Sequence, residues 1–463
     1  MRVCSYALMI AALACACSPP VTSADASLDA PATDVTNADT RADVTPSDTT
    51  LDANNDVPVD TAITDATTDT PTDASTGCVL TSLPAPHRYV SPTGDDSADG
   101  TFAHPWATIS HASAMVTAGD TVHVLPGSYA ERVDTQANGT ATSRIRFVSE
   151  CRWQARLAPT GGSAIWSVGQ NSSAASTHGN YVDIIGFDID GSNGTMALGI
   201  INYASNSRAL GNHVHDIPAP MGCTDGNGGA GIDDANYGAQ DDDIIGNVVH
   251  DIGGSSIGTC VHAVIHGVYH ANLRGHVQNN IVYHVAAYGI HTWHAAREVV
   301  ITNNTVFANG WFNGAGTIGG GIIVGDGDSP GGVTNDGTTV SNNIVFANPG
   351  EGIREYGAVG TNNRFTNNLI EMNGYDTLFV HGTATNTITG DPMFVDYRAM
   401  GGGDYHLAAG SPAIDRGTTA CAPGTASCVP DSDIEGNSRP RGAAIDVGAY
   451  ESGVTGSAAW PWY

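Results

Sequence analysis

Gly246-Asn247-Val248-Val249, Asn279-Asn280-Ile281-Val282, Asn303-Asn304-Thr305-Val306 and Asn342-Asn343-Ile344-Val345 are one phrase written four times. Flanking copies read Gly211-Asn212-His213-Val214 and Asn367-Asn368-Leu369-Ile370. A second phrase runs between them: Gly199-Ile200, Gly231-Ile232, Gly267-Val268, Gly289-Ile290, Gly321-Ile322 and Gly352-Ile353. Two phrases alternating at an irregular period of roughly 22 to 39 residues describe stacked coils, each burying its apolar side chains against the next. Like residues then stack at about 4.8 Å, so Val214, Val249, Val282, Val306, Val345 and Ile370 are predicted to form one inward column. The repeated Asn suits the turn before each strand, because it tolerates positive φ and its amide can bond the Asn above and below. Its expected role is structural at every position.

Outside the repeats, Tyr89-Val90-Ser91-Pro92-Thr93-Gly94 reads as strand and turn, and Trp106 to Val116 as a short amphipathic helix. Thr121 to Tyr129 reads as the next strand, closed by Pro126-Gly127. A helix here would cover the first coil's exposed edge. At the other end stand Asp391-Pro392-Met393-Phe394, Asp404-Tyr405-His406-Leu407, Gly410-Ser411-Pro412-Ala413 and Asp446-Val447-Gly448-Ala449-Tyr450. These segments resemble the caps of bacterial right-handed parallel β-helix proteins of the pectate-lyase-like superfamily, over about residues 86 to 452. The resemblance implies an all-β right-handed parallel β-helix with an N-terminal cap helix. It implies little about the reaction, since that superfamily includes lyases, epimerases, polygalacturonases and many uncharacterised members.

The expected organisation is a signal peptide at 1–17, a linker at 18–77, the β-helix with its caps at 78–452, and a tail at 453–463. Arg2 precedes an apolar run, Ala7 to Ala14, too short to span a bilayer. Leu13-Ala14-Cys15-Ala16-Cys17 resembles a bacterial lipoprotein processing site, with Cys17 or Cys15 as the lipidated residue. This predicts an exported protein, lipid-anchored at the cell surface (outer membrane) or secreted. The linker carries twelve Asp against one Arg, and so repels itself into a disordered acidic tether. The whole chain carries a net charge of −30, and all seventeen of its Lys+Arg residues are Arg. So acidic a body excludes nucleic acid as an expected partner. A monomer is expected.

Six Cys lie beyond the signal, an even number that suits disulfides in an oxidising compartment. Cys421–Cys428 is a local pair. Cys223 and Cys260 follow Asn212 and Asn247 by eleven and thirteen residues, which predicts a Cys223–Cys260 bridge between insertions on successive coils. Cys78–Cys151 follows by elimination. No Cys pair has zinc-site spacing.

If the Ile of each Gly-Ile points inward, the next residue points outward. That row reads Ile201, Asp233, Tyr269, His291, Ile323, Arg354; two residues on it reads Tyr203, Ala235, Ala271, Trp293, Gly325, Tyr356. Tyr, His and Arg are what β-elimination from a uronate needs. Arg neutralises the carboxylate and acidifies the adjacent carbon. Tyr or His removes the proton, and the other donates to the leaving oxygen. Tyr269, His291, Arg354 and Asp233 are therefore the catalytic candidates, with Trp293, Tyr356 and His294 contacting substrate. The expected partner is a uronate-containing polysaccharide. The expected function is binding and processing of that polymer, with a glycan-binding or adhesin scaffold as the rival reading.

A third reading is hydrolysis by Asp233 and Asp234, two carboxylates that could serve as acid and base. Glu351 and Glu355 beside Arg354 count against the clamp, because they could already neutralise it. His266 and His270 fall inward by alternation. Asp326-Gly327-Asp328 and Asp241-Asp242-Asp243 offer oxygen ligands of the kind Ca²⁺ takes, whereas Gly314 to Gly319 lacks any βαβ context for a dinucleotide. The absence of Lys removes the lysine base that some lyases of the resembling fold use. If insertions 218–230, 254–266 and 311–320 rise on one side, a groove results.

Overall fold

The computed structural model describes residues 83–171, 174–219, 228–253, 264–310, 319–326, 334–420, 428–453 and 460. The signal and linker, Cys78, Cys223, Cys260, Cys421, Gly327-Asp328 and most of the three insertions lie outside them. The chain forms a right-handed parallel β-helix of three sheets, with eleven, nine and nine strands. Each pass adds one strand to each sheet in turn. Arg208–Leu210, His213–Ile217 and Gly229–Asp234 make one such pass, and Gln240–Ile245 begins the next. We call these the first sheet, the Asn-Val sheet and the groove sheet.

The first repeat behaves as predicted. Val214, Val249, Val282, Val306, Val345 and Ile370 are paired in register and buried. Beneath them Nδ2 of Asn212 donates to Oδ1 of Asn247, and the step repeats through Asn280, Asn304, Asn343 and Asn368 at 2.9–3.1 Å. Each of these Asn also accepts or donates a backbone bond, so none of the ladder amides is left unpaired, where a buried orphan costs about 1–3 kcal/mol. The residue before each of the later copies, Asn279, Asn303, Asn342 and Asn367, takes the turn at φ 53–56°. A shorter ladder, Asn309–Asn348–Asn373, closes the next corner.

The two phrases need each other. A Cβ on Gly231, Gly267, Gly289 or Gly321 would fall inside the van der Waals shell of Val249, Val282, Val306 or Val345 Cγ1. The Gly is the notch that receives the Val of the neighbouring sheet. Close packing leaves no other solution there.

Two boundaries differ from the sequence reading. The helix spans only Ile109–Met115, because the Thr108 side chain accepts from His111 N–H and caps it, leaving Trp106 outside. It packs beside Val133–Thr135, the terminal strand of the groove sheet, through Ser113 Oγ. The strand expected over Thr121 to Tyr129 is two, Thr121–Val124 and Gly127–Tyr129, which belong to different sheets on either side of the Pro126 corner. Among the described residues no helix is long and apolar enough to cross a membrane.

Past the last coil the chain runs back along the outside of the Asn-Val sheet. Phe394–Asp396 and Asp404–Leu407 pair antiparallel. Tyr405, Leu407, Ala413 and Val447 cluster with Tyr283, Phe307, Ile344 and Phe346. Trp460, in the segment expected as a tail, packs on Val148, Ile185 and Leu210 and donates from Nε1 to Ser149 O. Gly186, at φ 72°, lies where that indole passes. Cys151 and Cys428 are buried and disulfide-bonded. The partners expected for them lie outside the described residues.

Candidate functional site

The outer face of the groove sheet holds a cavity of about 880 Å³ across its central strands. The predicted outward row is in register: Ile201 pairs Asp233, then Tyr269, His291, Ile323 and Arg354 follow on successive strands. All six line the cavity, as do Trp293, His294 and Tyr356. The seven candidates chosen for catalysis and substrate contact therefore share one groove. Of the second row Tyr203 and Ala235 also reach it, while Ala271 is wholly buried. The described insertion residues that reach it are Gly228, Gly229, Val264 and His266.

His266 is buried and bonded to His291, but it does not face the interior as alternation predicts. It lines the groove and stacks on Tyr269, with ring centroids 5.1 Å apart. The reason is the Gly notch. Gly267 and Val268 both face inward, so alternation skips a residue and positions three apart share the outer face. Tyr288 with His291, and Glu351 with Arg354, repeat that spacing. Reading this corner as a regular strand hid the whole row, and the Gly recurring at every coil was the signal that could have exposed it. His270 does face inward, with Nδ1 3.1 Å from Asp234 and Nε2 2.7 Å from Arg274 O.

His291 is the centre of the arrangement. Its Nδ1 lies 3.0 Å from the ring nitrogens of His266, and its Nε2 has no hydrogen-bond partner. Burial, then the neighbouring His266 and His294, hold its pKa well below the usual imidazole value. Burial alone takes His266 down to about 3. Both rings are neutral at pH 7. Tyr269 meets His291 edge-on at 5.3 Å.

Arg354 stands two strands away but leans back toward this centre. Its Nη1 lies 3.4 Å from Tyr288 Oη, on the strand that carries His291, and its guanidinium sits 4.6 Å from the Tyr356 ring. Glu351 pairs with Nη1, which bears out that half of the objection raised from sequence; Arg354 Nε keeps no hydrogen-bond partner. Glu355 instead points away and accepts the N–H groups of Val380, His381 and Gly382. Burial, then Glu351, raises Tyr288 to about 12.

Trp293 stacks on Tyr356 at 5.6 Å and 23°. It can do so because the strand between them carries Gly325, whose Cβ would occupy the indole's place. Tyr237 and His294 meet at 4.3 Å on the opposite flank.

Burial, and then the Asp234 carboxylate, push Asp233 up to about 8. One of its oxygens is buried without a partner. Asp234 faces the interior, where it accepts from Asn202 and meets His270. The two acids therefore do not share the groove, and the carboxylate pair proposed for hydrolysis is not assembled. The Asp241-Asp242-Asp243 triplet is dispersed as well: Asp241 pairs Arg274, Asp242 accepts from Asn272 and Ser207, and Asp243 meets His276. It forms no common cradle for Ca²⁺. Asp326 is buried on the groove sheet.

No family model matches the chain. A stretch of 59 residues is 42% identical to the uncharacterized protein YwoF of Bacillus subtilis (strain 168); the match spans only 13% of this chain and 13% of that protein. Among solved structures, pectate lyase Pel9A superposes with a TM-score of 0.52 at 16% identity, covering 82% of this chain and 99% of the lyase. A rhamnogalacturonan lyase gives 0.47 at 16% identity, covering 68% and 91%. An alginate lyase from Paenibacillus sp. str. FPU-7 gives 0.40 at 16% identity, covering 64% and 99%. At such identities the likeness is one of fold.

Proposed function

We propose that this protein binds an acidic polysaccharide along the groove and cleaves it by β-elimination, with His291 as base, Tyr269 as acid and Arg354 as carboxylate clamp. The observation that carries the reading is the His291 ring: Nδ1 held by His266, Nε2 unpartnered, Tyr269 on one flank and the Arg354 guanidinium reaching in from the other. Nε2 is buried in the free protein, so the rings around it must part as the sugar enters; Nε2 then takes the proton from the carbon beside the uronate carboxylate. Those electrons form the C=C bond, the C–O bond to the next sugar breaks, and the Tyr269 hydroxyl protonates the leaving oxygen. Arg354 stabilises the charge that builds on the carboxylate. A neutral imidazole of depressed pKa is a weak base, but an arriving carboxylate raises it. Trp293 and Tyr356 offer their faces to the sugar rings. A shared fold with pectate lyase Pel9A supports a glycan as ligand.

The same proposal places the body outside the cell, tethered by residues 18–77 to a lipid on Cys17 or Cys15, with Cys223–Cys260, Cys421–Cys428 and Cys78–Cys151 as its disulfides. The test is ultraviolet absorbance of the new conjugated double bond during incubation with a panel of uronate polymers, with and without Ca²⁺. Tyr269→Phe and His291→Ala should each slow its rise by about 10²–10⁴-fold while binding persists. Binding with a flat trace on every polymer would sink elimination and leave a glycan-binding scaffold. The Glu351–Arg354 pair favours that second reading.

A further inference from the structure

The Asn-Val sheet carries a second chemical centre, away from the groove. On its outer face Asp188 and Asp190 of one strand lie beside His213 and His215 of the next, with Asp188 opposite His213. One oxygen of Asp188, Oδ1, lies 3.0 Å from His213 Nδ1 and 2.9 Å from His215 Nε2. The three ligand atoms lie within 4.8 Å of one another. The two imidazoles stack at 4.3 Å, so both nitrogens reach the same point from one side.

We propose that Asp188, His213 and His215 bind a divalent transition-metal ion of the Zn²⁺ class. A tetrahedral ion with bonds of about 2.0–2.1 Å spaces its ligand atoms by about 3.3 Å, so the two Asp188–His separations need open by only a few tenths of an ångström. Two imidazoles with one carboxylate favour Zn²⁺ over Ca²⁺ or Mg²⁺, which take oxygen. Three protein ligands leave a fourth position for water, on the side where Asp188 and His215 remain partly exposed.

The outer hydrogen bonds supply an independent argument. A metal-bound imidazole has its other nitrogen oriented by a carboxylate or another fixed group. His215 Nδ1 is 2.7 Å from Asp216 Oδ2. His213 Nε2 is 2.8 Å from His250 Nε2, and His250 Nδ1 is held by Asp251, which also holds His284. Each candidate ligand thus already has the support that a bound ion requires. Arg156 takes Asp190 and approaches the other oxygen of Asp188 at 3.7 Å, leaving Oδ1 to the histidines. The overlapping set Asp190, His215 and Asp216 is less suitable, because Arg156 occupies Asp190.

The experiment strips the exported protein with chelator, then titrates it with Co²⁺ and Zn²⁺. One equivalent should bind with visible d–d bands for Co²⁺, and Zn²⁺ should raise Tm. His215→Gln should lose both effects, while His406→Gln, which alters an unrelated His between Asp404 and Glu435, should keep them. Absence of stoichiometric uptake, or equal uptake by His215→Gln, overturns the site. Should His215→Gln fail to fold, the exposed Asp216→Asn decides. Affinity weakened by about 10–100-fold supports the site, and unchanged affinity overturns it.

Discussion

Two faces of this β-helix carry rows of aromatic side chains, and they have opposite fates. On the Asn-Val sheet, His250, Tyr283 and Phe307 stack at 4.7 and 5.0 Å, nearly parallel, and the returning C-terminal segment seals them with Phe394, Tyr397 and Tyr405. On the groove sheet, Tyr269, Trp293 and Tyr356 form a comparable row that nothing in the described chain covers. A stacked aromatic row on a solenoid is therefore no mark of a site by itself. It becomes one where the chain leaves it open and sets titratable groups beside it.

Removing a ring from each face breaks this comparison if it is wrong. Phe307 is fully buried under the C-terminal segment. Phe307→Ala should cost about 3–5 kcal/mol, read as a lower midpoint in denaturant, with glycan affinity unchanged in the protein that remains folded. Trp293→Ala should do the reverse, weakening glycan binding by roughly tenfold while the midpoint barely moves. Equal stability losses for the two would mean that the groove face is packed rather than open.

Gly325→Ala sharpens the contrast with a smaller change. Its methyl would displace the Trp293 ring from its place over the strand and against Tyr356. KM should rise several-fold with kcat nearly unchanged, because the shelf binds sugar and takes no part in proton transfer. A fall in kcat alone would move Trp293 from the shelf into the chemistry.

These faces were unequally legible in the sequence. The Asn ladder, the Val column and the outward row of Asp233, Tyr269, His291 and Arg354 could be read because each obeys a period, and a stacked coil repeats its side chains at fixed offsets. His266 and Tyr288 escaped because the Gly notch breaks strand alternation at the corner where it receives Val282 or Val306. Asp234 was grouped with Asp233 on adjacency alone, although the pleat sends neighbouring carboxyls of a strand to opposite faces. The covering of the Asn-Val sheet and the seat of Trp460 depend on a return path without any period. Asp188 and His215 meet across strands, where their neighbourhood is set by register rather than spacing.

The last contrast concerns Asp233, a groove carboxyl held protonated. In the unfolded chain an Asp titrates near 3.9, whereas burial and Asp234 take Asp233 up to about 8 in the fold. Between those values the folded protein keeps a proton that the unfolded chain has released. Stability contributed through Asp233 is thus fully present below pH 4, falls as pH rises, and is lost by about pH 8. Asp233→Asn mimics the protonated acid and removes this loss. The two proteins should melt together at pH 4, and the variant should melt higher at pH 8. The groove should respond in parallel: ionised Asp233 would repel an anionic polymer, so wild-type KM should climb above pH 8 while that of Asp233→Asn stays flat. Melting curves that differ as expected, but with KM rising equally in both, would keep the buried proton and take the polyanion away from Asp233. A neutral glycan, or one bound further toward Arg354, would then fit the groove better.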